Sequence, residues 1–112
     1  MTEQPSLFEA AAAAPDVERI TLCALGEFQA RGKVLAEREL ALDRLRGAFK
    51  RAAEKFGTEE LSDEQIVKNL KMLDAKIVQV PSFVAKHPFR VTIQTALAER
   101  AKQVYRESLN DD

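Results

Sequence analysis

The chain has no tryptophan, one cysteine, one histidine, four glycines and four prolines in its 112 residues. Each shortage excludes something. Cys23 stands alone, so no internal disulfide can form; that suits a reducing compartment, and we expect a cytoplasmic protein. One cysteine and one histidine cannot furnish a structural zinc site. Few glycines and prolines disfavour a turn-rich fold of many strands. No apolar run approaches the ~20 residues of a membrane span. The first charge is Glu3, so no basic leader precedes an apolar stretch. No glycine-rich loop is there to cradle phosphate. The adjacent acids Asp63 and Glu64 suit a helix start, where the dipole favours negative charge. A metal nuclease would need several convergent carboxylates. These absences point away from an enzyme, and no cofactor is expected.

What is present suits one small domain. Hydrophobic residues make up 46% of the chain and charged residues 31%, enough for a core beneath a polar surface. The net charge of −1 hides an asymmetry. Residues 1–65 carry a net −4, residues 66–106 a net +6 and residues 107–112 a net −3. The central segment is therefore a candidate surface for a polyanion, or only the solubilising charge that helices need.

Residues 1–15 read as a tail, interrupted by Pro5 and Pro15, with a short alanine run that cannot hold a helix alone. Residues 16–112 read as a single, mainly α domain. Asp16 can cap a long helix over 16–56, with Gly57 as its stop. Phe28, Leu35, Leu42, Phe49 and Phe56 recur every seven residues along it. The companion positions include Arg31 and Arg38, which spoils a zipper seam. Unbroken, this helix would run about 60 Å at ~1.5 Å per residue, more than the remaining chain can cover. Either part of the stripe meets a second copy, making Phe28, Leu35, Leu42 and Phe49 a self-association face, or the helix breaks into a hairpin near Gly32, with Gly26 as another breaking point. The balance falls slightly toward the long helix with a partner.

A second helix starts at Ser62, where Gln65 three residues on completes a capping box and Leu61 and Ile66 form a staple. Ile66, Leu70 and Leu73 face inward, and Lys68, Asn69 and Lys71 face outward. From 76 to 93 the period changes to two, with Pro81 and Pro88 bounding the connection, so a small β-hairpin is expected. A C-terminal helix over about 94–108 follows, turning Leu97, Ala101, Val104 and Tyr105 inward.

Two stretches carry functional expectations. Gln4-Pro5-Ser6-Leu7-Phe8 resembles the short peptide by which bacterial replication and repair proteins hold the DNA sliding clamp. Gln4, Ser6, Leu7 and Phe8 fit its pattern, and Pro5 falls at a variable position. The resemblance implies that Leu7 and Phe8 fill an apolar cleft while Gln4 bonds at its edge. It covers five residues and says nothing of the body. The helix and hairpin over 62–93 form the second stretch. They resemble the recognition helix and wing of winged-helix DNA binders, although the connection from Phe56 to Ser62 is longer than a tight helix-turn-helix. Lys68, Asn69, Lys71, Lys76, Lys86, His87 and Arg90 are then the candidate nucleic-acid contacts. The plain alternative is a solvated basic face, with His87 an ordinary loop residue and Cys23 a small core residue. The leading expectation is a non-enzymatic replication or repair accessory protein tethered to the clamp. Its competitor is a helical self-association module with no DNA role.

Overall fold

The computed structural model describes residues 16–81 and 89–110. The first helix, α1 (Val17–Ala30), starts as expected: the Asp16 carboxylate accepts from the Arg19 backbone N–H at 3.1 Å. Its sequence is apolar almost all round, and Ile20 to Gly26 are buried together with Phe28. A helix without a polar face must lie inside, and α1 does. It packs mostly on the C-terminal helix, then on the two helices between.

The long helix does not continue past residue 30. Gly32 adopts a left-handed φ of 84°, which a residue with a side chain resists. The chain then turns back and forms an unexpected short strand, β1 (Glu39–Ala41), followed by a 3₁₀ turn (Leu42–Leu45) and helix α2 (Arg46–Lys55). The seven-residue spacing is therefore not a helical stripe. Phe28 lies on α1, Leu35 in the connection, Leu42 in the 3₁₀ turn and Phe49 on α2. All four are at most 5% exposed and belong to the protein's own core. They offer no face to a second copy, which corrects the self-association expectation.

Helix α3 (Asp63–Met72) carries the full capping box: Ser62 Oγ accepts from the Gln65 N–H at 3.1 Å, and Gln65 Oε1 accepts from the Ser62 N–H at 2.8 Å. At its end the Ala75 N–H reaches the Leu70 carbonyl at 2.9 Å, a tight cap that turns the chain into β2 (Lys76–Gln79). β2 pairs antiparallel with β3 (Phe89–Thr92), the expected hairpin, and β1 pairs with the other edge of β3. The sheet order is β1-β3-β2. Leu40 and Val91 point to the core with Ile77 beside them, so the opposite sheet face looks outward. Helix α4 (Thr95–Asn110) closes the fold. It buries Leu97, Ala98 and Ala101 as its inner stripe, while Val104 and Tyr105 are only half-buried.

Two devices hold α4. Glu37, itself left-handed at φ 59°, caps it from a distant loop: its Oε2 accepts from the Thr95 N–H at 2.7 Å and the Thr95 hydroxyl at 3.1 Å. A carboxylate there also meets the positive end of the helix dipole. The second device is Gly26. A Cβ at this position would collide with the Ala101 carbonyl oxygen and the Tyr105 Cβ, so only glycine lets the two helices come this close. Gly26→Ala gains up to about 1 kcal/mol of helix propensity, yet forcing the crossing open costs roughly 1–3 kcal/mol. We expect a net loss, read as a lower urea midpoint at unchanged slope. A midpoint equal to the parent's would show that the helices are not in this contact.

Candidate functional site

The basic central segment does not form one uniform surface. On α4, Arg100 donates to Glu18 of α1 at 2.6 Å and Lys102 meets Glu99 at 3.4 Å. These charges are largely answered within the protein. Lys68, Lys71, Lys76 and Arg90 take part in no ion pair among the described residues and sit on α3, β2 and β3. Lys33, Arg38, Arg44, Lys50 and Arg106 likewise take part in no ion pair among the described residues, so the helix–hairpin unit carries four of the unanswered cations and the rest are spread over the body.

Helical spacing explains which side chains of α3 are accessible. Ile66, Val67, Asn69 and Leu70 are buried; Glu64, Lys68 and Lys71 follow one another along the outer side. Asn69 is a correction to the sequence expectation. It lies three residues after Ile66, hence on the inner face, and position on the helix outranks its polar side chain. It is 8% exposed and cannot enter a nucleic-acid groove.

On the sheet, strand alternation and register decide. Lys76 stands opposite Thr92, and Val78 opposite Arg90, so Lys76 and Arg90 are diagonal neighbours on the outward face. β1 completes that face with Glu39 opposite Thr92 and Ala41 opposite Arg90. Phe89 alternates to the other side, with Val91. Among the described residues this outer face carries no aromatic ring on which a base could stack. What it offers is charge suited to phosphate oxygens, opposed by Glu39 at one edge. Lys86 and His87 belong to residues 82–88, and Gln4, Ser6, Leu7 and Phe8 to residues 1–15; both stretches lie outside the described residues.

A groove that the sequence did not reveal runs between the start of α1 and α3. It encloses about 370 Å³ and is lined by Val17 and Glu18 on one side and by Lys68, Asn69, Met72 and Leu73 on the other. Met72 is 73% exposed, the most exposed large apolar side chain among the described residues. The signal in the sequence was Met72 itself, which falls outside the Ile66–Leu70–Leu73 inner stripe.

The strongest charge cluster is structural. Glu27 of α1 accepts two bonds from Arg51 of α2, at 2.5 Å and 2.8 Å, and a third from Arg31 at 3.2 Å. Burial pushes the Glu27 carboxyl up, but the hydrogen bonds from Arg51 and Arg31 outweigh it and hold the group below its ordinary range. The same contact raises the Arg51 guanidinium. Cys23 is buried, as its place on α1 requires. Among the described residues no group of three or more His, Cys, Asp or Glu side chains could hold a metal, and no helix is long and apolar enough to cross a membrane.

No protein-family model, curated protein or solved structure matches this chain. Its function must be argued from its own residues.

The Glu27 cluster gives a pH signature. Its folded carboxyl releases the proton more readily than the unfolded one. The stabilisation is therefore complete above the unfolded pKa and is lost as pH falls through the folded pKa. Glu27→Gln should lower stability by roughly 1 kcal/mol at neutral pH. Its deficit against the parent should shrink in acid, as seen by urea denaturation at a series of pH values. A deficit that stays constant into acid would mean that the carboxylate charge contributes nothing.

Proposed function

We propose that this chain is a non-enzymatic accessory protein of DNA replication or repair. It docks on the sliding clamp through Gln4, Ser6, Leu7 and Phe8, and its basic body contacts DNA. The observation that carries the reading is the peptide itself, placed eight residues ahead of the Asp16 cap that opens the folded body. A capture peptide needs chain between itself and the domain it tethers, and here it has that spacer.

Support for the DNA contact comes from the layout of the body. α3 runs directly into the β2–β3 hairpin, as the winged-helix resemblance implies. β1, inserted between α1 and α2, pairs with β3 to give the order β1-β3-β2. In such a layout α3 is the element that approaches a groove, presenting Lys68 and Lys71, while Lys76 and Arg90 on the hairpin reach phosphate. Glu64 on the same side of α3 restricts how deeply the helix can approach. The self-association alternative loses its surface, since the residues proposed for it are core.

Two measurements test the two halves separately. Leu7→Ala with Phe8→Ala removes two apolar anchors, each worth roughly 1.5–3 kcal/mol when buried. Affinity for a bacterial sliding clamp should fall about a hundredfold or more; equal binding by parent and variant would end the clamp reading. For the body, binding to duplex DNA should weaken steeply with salt. Lys68→Ala with Lys71→Ala, both at exposed positions, should flatten the log–log slope by about one to two. A slope that does not change would remove α3 from the interface.

A further inference from the structure

We propose that Leu7 and Phe8 have a second seat on this same molecule, in the groove between the start of α1 and α3. The proposal stands on the groove and the chain that leads to it, and it does not require the clamp reading. Val17, the first residue of α1, forms one lip of the groove. The chain ahead of Asp16 therefore begins beside it. Seven residues, 9–15, separate Phe8 from Asp16. Extended, that stretch reaches about 25 Å. The wall of α3 from Gln65 to Met72 spans only about 10 Å. The whole groove lies within reach.

The chemistry of the lining suits this segment. Met72 is largely exposed, and Val17 and Leu73 are half-buried, so apolar surface stands open for Leu7 and Phe8. A thioether side chain adapts to aromatic and aliphatic neighbours alike. Asn69 lines the groove with a primary amide, which can donate to and accept from a peptide backbone. Lys68 on the wall complements Glu3 and Glu9, which flank the peptide. The one acid on the lining, Glu18, is already joined to Arg100.

Docking in cis has a consequence for the reading above, and this part rests on that reading. One peptide cannot fill the groove and a clamp cleft together. While seated it also covers Lys68 on α3.

The test uses the full chain and amide spectra from nitrogen-labelled protein, with each variant read at the other partner's signals. Leu7→Ala with Phe8→Ala should shift the amides of Gln65 to Leu73. Met72→Asp, at an exposed position where folding is not at stake, should shift the amides of residues 6–9. Core signals such as Leu25 and Ile93 should stay in place. Groove signals that coincide in the parent and the tail variant would overturn the proposal. Shifts that vanish on dilution would also overturn it, since they would assign the groove to the tail of a second copy. Clamp binding is measured on the same samples. Cross-shifts without clamp binding would sink the clamp reading and leave the cis seat intact; clamp binding without cross-shifts would do the reverse.

Discussion

The close crossing of α1 and α4 is the constraint on which the other contacts depend. α1 is buried on nearly every side, so each neighbouring element is positioned by what α1 presents to it. Towards α4 it presents Gly26, which lets the Ala101 backbone approach, and Gln29, whose amide donates to the Ala98 carbonyl at 3.0 Å. Towards α2 it presents Glu27, which draws in Arg51. A helix so used cannot simply run on. Past Ala30 the chain must turn back, because Leu35, Leu40 and Leu42 are needed in the same core that Phe28 occupies. The left-handed Gly32 permits the reversal, and Glu37 secures it by joining the returning loop to the first turn of α4.

What could be read in the sequence follows from the range of the interactions involved. The caps at Asp16 and Ser62 depend on partners three residues away, and both are present as expected. The hairpin was legible because Phe89, Val91 and Ile93 alternate with polar residues and prolines bound its connection. Of the two readings of residues 16–56, the structure has the break near Gly32 and not the continuous helix, because spacing by seven is not a sufficient mark of a helical stripe. Four core residues drawn from three elements and a connection can share it. β1 is three residues long, too short to carry a period, and its pairing partner lies about fifty residues downstream. Asn69 was placed outside by its polarity, although its position in α3 placed it inside. For the candidate site, Lys68, Lys71 and Lys76 are accessible as their positions implied, and Arg90 is half-buried on the outward sheet face. Of the groove only Met72, outside the inner stripe of α3, showed in the sequence, because the groove itself exists only where α1 and α3 meet.

Net charge along the chain and charge on the surface are different quantities here. The segment 66–106 is basic as a stretch of sequence, yet folding answers Arg100 through Glu18, which comes from the acidic first half. Arg46 likewise bridges Asp43 and Asp63, and so ties the 3₁₀ turn, α2 and α3 together. The charge left over includes Lys68, Lys71, Lys76 and Arg90 on α3 and the hairpin, and also Lys33, Arg38, Arg44, Lys50 and Arg106 elsewhere. For contact with phosphate the spacing of cations matters as well as their number, because cations separated by more than a Debye length, about 8 Å at physiological salt, act almost independently. Among the described residues the outer sheet face carries no aromatic ring, so it offers no platform on which a base could stack.

A weak seat for the tail is physically sufficient. A short spacer holds its peptide at an effective concentration of the order of millimolar. A groove with an intrinsic Kd of ~1 mM would then be filled about half the time. Such occupancy lowers the apparent affinity for any external partner only about twofold, since half the molecules remain competent. The same occupancy covers Lys68 half the time, and removing it costs the partner less than 1 kcal/mol. A tight seat would be self-defeating, because once the groove is mostly filled each further tenfold gain in cis affinity lowers the affinity for an external partner almost tenfold.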